Sequence, residues 1–125
     1  MGGKFGEFFH ARRIATGLTL RQFCIQHGLD PGNISKLERG LLRPPKSSEK
    51  LGHYARLLHL VPGTPVWQKF FDLAAAERGM IPDELMEDEY IVRTLPLLFR
   101  TLRRARVDKT FLDDLVETVR RQQGA

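Results

Sequence analysis

Residues 19–40 read TLRQFCIQHGLDPGNISKLERG, a helix, a short turn and a second helix, each with its own start signal. Thr19 is placed to N-cap the first helix, and Gln22, three residues on, can reach back to the cap amide to complete a capping box. Phe23 and Cys24 then face inward. His27, Gly28 and Leu29 break the pattern, and Asp30 caps a second helix whose first residue, Pro31, has the preset φ and missing N–H suited to that position. Ile34 and Leu37 fall at i and i+3 on its inner face, which leaves Asn33, Lys36 and Arg39 outside. Gly40 is expected to stop it, as a left-handed residue does after a helix end.

Working outward, residues 1–6 carry three glycines and read as a loose start. A first helix is expected over residues 7–15, with Phe9 inward, Arg12 and Arg13 near its end, and Gly17 closing it. After the capped pair, residues 41–48, LLRPPKSS, form a loop because Pro44 and Pro45 bar helix. Ser47 or Ser48 can cap the next helix, over residues 48–59. Its Leu51, Tyr54, Ala55 and Leu58 recur at i, i+3, i+4 and i+7, one buried stripe.

The second half reads as helical throughout. VPGTP is a turn, with Thr64 as cap and Pro65 as first residue of a helix to Arg78, and Gly79 ends it. Val66, Phe70, Leu73 and Ala74 make one face of that helix, with Trp67 and Phe71 beside it. Pro82 is expected to start a helix through DELMEDEYIVRTL, whose early acids suit a helix N-terminus. Pro96 is expected to break it, after which Leu98, Phe99 and Leu102 face inward and Arg100, Arg103, Arg104 and Arg106 cluster. Asp108 caps a last helix with the stripe Phe111, Leu112, Leu115, Val116 and Val119. The expected class is therefore all-α.

With 125 residues, 42% of them hydrophobic and 28% charged, the chain fits one domain or a small domain with an extension. No stretch approaches the ~18 consecutive apolar residues of a membrane span, and the start lacks a signal-peptide layout, so a cytoplasmic location is expected. The single cysteine, Cys24, has no disulfide partner in the chain and sits on an apolar face, the place of a small core residue. The net charge of +5 is uneven. Residues 1–60 hold ten Lys/Arg against four Asp/Glu, whereas residues 61–125 hold ten against eleven. A basic excess around the capped pair favours a polyanion partner, because each phosphate neutralised releases counterions.

The order of these pieces resembles the phage-repressor (lambda-repressor and Cro-like, Xre-type) helix-turn-helix family over residues 7–61. The matching features are Arg13 four residues before Gly17, the GLT entry, the run ISKLERG, and Pro44 ahead of the next amphipathic helix. The resemblance implies a lambda-repressor-like helical bundle as domain 1–61 and an α-helical extension, residues 62–125, for dimerisation or partner binding. It also implies that Arg13 pairs with Glu38, a structural ion pair bracing the first helix against the recognition helix. The helix 31–39 would enter the major groove of double-stranded DNA, with Asn33 reading adenine and Lys36 reading guanine. Thr19, Arg21, Arg39, Arg43 and Lys46 would hold phosphates, which set register without reading sequence. Leu20 departs from the family, standing where many members carry a phosphate-holding glutamine. Pro31 and Gly32 likewise occupy two usual base-reading positions without side-chain donors, so DNA shape is expected to contribute.

No enzyme is expected. No serine sits in a nucleophile elbow, no glycine loop cradles phosphate, and Asp113 and Asp114 are adjacent on a helix and point apart. His10, His27, His53 and His59 lack ligand spacing, so neither metal nor cofactor is expected. The expected function is a dimeric, sequence-specific transcription regulator, a repressor that occludes a promoter, with residues 65–121 packing on the first half and supplying the self-association surface. A second reading is an antitoxin or immunity-type regulator whose C-terminal region captures a toxin or a protease partner. A third is an architectural protein without sequence preference.

Overall fold

The computed structural model describes residues 4–105 and 107–123, and these fold into helices without a strand among them. In order they are α1 (Lys4–Ala15), α2 (Leu20–His27), α3 (Pro31–Glu38), α4 (Ser48–Leu57), α5 (Pro65–Arg78), α6 (Asp83–Met86), α7 (Glu89–Arg104) and α8 (Lys109–Gln123). The chain divides into two compact units, residues 1–83 and 84–125.

Local signals set most boundaries in the first unit. Thr19 caps α2 through its hydroxyl, which accepts from the Gln22 amide, and the Gln22 side chain accepts from the Thr19 amide. Asp30 caps α3 by accepting from the Gly32 amide, and Ser47 and Thr64 cap α4 and α5 in the same manner. Gly28 and Gly79 end α2 and α5 in the left-handed conformation, at φ of 66° and 68°.

Two expectations at the edges of these helices are corrected. First, α1 begins at Lys4, not Glu7, and Phe5 on its first turn is fully buried. The Phe5 amide, one of the donors a helix start leaves over, gives its hydrogen to Glu77 Oε1 of α5 at 2.8 Å. Second, α4 stops at Leu57. His59 takes the left-handed conformation (φ 64°), and the Leu60 amide donates back to the Ala55 carbonyl at 2.9 Å, a Schellman closure made without glycine.

The core of this unit is built around Phe9. Its ring meets Phe23 of α2 and Tyr54 of α4 edge-on, with centroids 6.2 and 5.8 Å away, and lies 6.3 Å from Phe70 of α5. One side chain thus joins four helices, in the tilted geometry aromatic quadrupoles favour. Phe70 and Ala74 of α5 are buried and Trp67, Phe71 and Leu73 pack at the margin, whereas Val66 remains exposed. The Arg78 guanidinium Nε donates to the Pro44 carbonyl at 2.7 Å. The first unit therefore runs past residue 61 to Asp83, because α5 supplies part of its core.

Helix α6 is a single turn, and in the second unit Asp88 then caps α7 by accepting from the Tyr90 and Ile91 amides. The acidic run expected within one helix is thus divided by its own aspartate, since a short carboxylate competes for backbone amides and favours a cap over a helix interior. Pro96 does not break α7. It lies inside the helix, where the missing N–H strands only the Val92 carbonyl on a helix open to water. Asp108 caps α8 by accepting from the Phe111 amide at 2.9 Å, as its place in the sequence suggests. No described residue of this unit is buried. Arg106, expected in the arginine cluster, lies outside the described residues.

Candidate nucleic-acid interface

Helix α3 turns Ile34 and Leu37 into the core and Asn33, Lys36 and Arg39 outward. Its N-terminal residues Pro31 and Gly32 are also exposed. Thr19, Arg21, Arg43 and Lys46 are exposed on neighbouring segments of the same unit, so the cationic side chains expected to act together are free of the core. Arg39 Nε stands 3.4 Å from the Ser35 carbonyl, which leaves most of its donors available.

Two anchors hold α3 from behind. Glu38 and Arg13 are brought together with side chains only 6% and 5% exposed. Arg13 Nε donates to Glu38 Oε2 at 2.7 Å and Nη2 to Oε1 at 2.9 Å, a two-pronged pair, while Nη1 donates to the Leu18 carbonyl at 3.0 Å. Arg13 thus ties α1, the loop before α2 and the end of α3 to one guanidinium. The second anchor is close backbone contact. A Cβ on Gly6 would stand 2.5 Å from the Leu37 carbonyl oxygen and 2.6 Å from that of Glu38, so α1 and α3 approach at a point only glycine allows.

His10 joins this cluster, its Nδ1 2.7 Å from Glu38 Oε1. It was not singled out from the sequence, although its place one turn before Arg13 on α1 is the signal that it shares Arg13's face. Burial pushes the Glu38 carboxyl upward, but the hydrogen bonds from Arg13 and His10 outweigh it and hold the group below its ordinary value. The hydrogen bond to Glu38 in turn raises Arg13 above its ordinary value despite burial. Cys24, 1% exposed, has its thiol pushed up chiefly by burial, which suits an un-ionised packing residue.

The arrangement offers a rigid, exposed helix face with amide and ammonium donors, flanked by guanidinium and ammonium groups. Such a surface has the donors to meet phosphates and base edges, and no described residues gather into a group of His, Cys, Asp or Glu able to hold a metal. No described helix is long and apolar enough to cross a membrane. Comparison of the chain with protein-family models, with curated proteins and with solved structures finds no match.

Proposed function

We propose that this chain is a dimeric, sequence-specific DNA-binding transcription regulator, a repressor that lays α3 in the major groove. The observation that carries this reading is the pairing of an exposed outer face on α3 with a buried brace beneath it. Asn33 and Lys36 stand outside, while Arg13, Glu38 and Gly6 fix the helix on α1. A reading helix must be held rigidly for its donors to discriminate between bases, and the ten-to-four basic excess of residues 1–60 supplies the nonspecific attraction. Asn33 reads adenine and Lys36 guanine, while Thr19, Arg21, Arg39, Arg43 and Lys46 hold phosphates.

A second reading, in which the C-terminal region captures a toxin or a protease, is favoured by the exposed apolar residues of α7 and α8. The test is binding of the purified chain to its own upstream DNA and to scrambled DNA of equal length, at two salt concentrations. The expected preference is about a thousandfold, lost with Lys36→Ala. Equal and steeply salt-dependent binding to both DNAs would overturn the reading and leave only attraction to phosphates.

A further inference from the structure

A cavity of about 270 Å³ opens between α3, the loop that follows it, α4 and the end of α5, all within the first unit. Three cations from three separate elements line it: Arg43 of the loop, Lys50 of α4 and Arg78 of α5. No carboxylate stands among its lining residues. Glu49 lines a different cavity, and Asp83 accepts from the Ser48 hydroxyl at 2.8 Å without lining this one. None of the three cations forms a salt bridge among the described residues. Like charges gathered without a protein acid repel one another, and a bound anion removes that cost.

Two of the cations are held beside the cavity by neighbours that leave their charge uncompensated. Arg78 Nε donates to the Pro44 carbonyl at 2.7 Å, which leaves both Nη groups for a ligand. Lys50 Nζ stands 5.8 Å from the centre of the Tyr54 ring, which also lines the cavity. Ile34 and Tyr54 are only 2 and 8% exposed, so the recess reaches the edge of the core, where charge-assisted hydrogen bonds are stronger than in water.

The size and charge of the site select among anions. Pockets for drug-sized ligands span ~300–1,000 Å³, so this one suits a single phosphate with a small group attached. A phosphomonoester carries a charge of about −1.5 to −2 near neutral pH, whereas each phosphate of a DNA backbone carries one charge and is tied to sugars on both sides. Three cations in a recess match the doubly charged, end-on group.

We infer that this cavity binds the phosphate of a small phosphomonoester, with Arg43, Lys50 and Arg78 as charge partners and the Asn33 amide, which also lines it, as a further donor. Lys50 and Arg78 have no part in the proposed DNA contacts, so the anion site stands apart from them. Its consequence for DNA rests on the proposed function. Asn33 is there the reader of adenine, and an ester that occupies its amide and adds negative charge beside the duplex opposes operator binding, a coupling that acts equally in both directions.

The first test is calorimetric titration of the full chain with methyl phosphate and with dimethyl phosphate, its diester, at ionic strength held constant with chloride. Methyl phosphate should bind once per chain and at least about tenfold more tightly than the diester. Lys50→Gln, an exposed substitution, and Arg78→Lys should each weaken that binding about tenfold. Lys36→Ala, exposed and outside the cavity, should leave it unchanged. Methyl phosphate should also raise the thermal midpoint of wild type and not that of Lys50→Gln. No binding, equal binding of monoester and diester, or equal binding by wild type and Lys50→Gln would each overturn the site.

The second test adds DNA. Saturating methyl phosphate should weaken operator binding by wild type about tenfold and leave that of Lys50→Gln unchanged. Operator affinity that does not respond to bound ester would sink the coupling. A chain that binds methyl phosphate and shows no operator preference in its absence would sink the DNA reading alone, whereas operator preference without calorimetric binding would sink the anion site alone.

Discussion

Gly6 and Leu37 meet backbone to backbone: a Cβ on Gly6 would lie 2.5 Å from the Leu37 carbonyl oxygen. Neither atom belongs to a flexible side-chain end, so relief requires α1 or α3 to move. Gly6→Ala should therefore cost about 1–3 kcal/mol, the usual penalty of overpacking, even though alanine is the better helix former. Gly32→Ala is the control, because its Cβ would meet the Asp30 carboxylate at ordinary contact distance, 3.5 Å from Oδ1 and 4.0 Å from Oδ2. Urea denaturation of both variants checks this: Gly32→Ala should be neutral or gain up to about 1 kcal/mol. Equal stabilities would mean that the close approach of α1 and α3 is not maintained in solution.

The Arg13–Glu38 pair makes stability depend on pH. Glu38→Gln leaves the Arg13 guanidinium buried without its counter-charge, and such a loss typically costs about 3–5 kcal/mol at neutral pH. The Glu38 carboxyl titrates below its ordinary value of 4.5 in the folded chain, so its contribution is complete above that value. It is lost as pH falls through the lowered folded value. The stability gap between wild type and Glu38→Gln should accordingly be wide at pH 7 and narrow progressively below about pH 4. A gap that stays constant between pH 7 and pH 3 would show that the carboxylate is not held by Arg13 and His10.

His59 ends α4 in a conformation that costs a non-glycine residue roughly 1–2 kcal/mol. Glycine avoids that cost but brings extra unfolded-state freedom, worth about 0.5–1 kcal/mol. The first effect is the larger, so His59→Gly should stabilise the chain by about 0.5–1 kcal/mol. A lowered thermal midpoint would mean that the imidazole makes contacts outweighing the backbone strain.

The sequence is most readable where a local chemical signal and the final structure agree. Thr64, Pro65 and Gly79 mark both ends of α5 correctly, because cap, preset φ and left-handed stop act within a few residues. Gly6 misled for the opposite reason. A glycine-rich start argues against helix locally, and what makes glycine necessary is a carbonyl more than thirty residues away. Phe70 was legible as a face, but nothing local says that the face meets Phe5, with ring centroids 4.9 Å apart, and so belongs to the first unit. Pro96 follows a general rule that α7 evades, since one stranded carbonyl on an open helix can be hydrated. At the candidate site, the exposure of Asn33 and Lys36 followed from helical spacing. The contact of His10 with Glu38 was not legible, because the two are 28 residues apart and only the fold unites them.

The two kinds of DNA contact proposed for this surface should separate in titrations against operator and scrambled DNA. Arg43 and Lys46 lie beyond α3 on the loop before α4 and are exposed, and the proposed function assigns them to phosphates. Arg43→Ala should weaken binding to both DNAs equally and lower the slope of log affinity against log salt by about one. Asn33→Ala removes an amide whose donor and acceptor suit adenine, so it should cost about 1–3 kcal/mol on operator DNA and little on scrambled DNA. The helix keeps its inner face in both variants, because Ile34 and Leu37 are untouched. Equal losses on the two DNAs for Asn33→Ala would show that α3 touches the duplex without reading it, and would place any sequence preference in DNA shape.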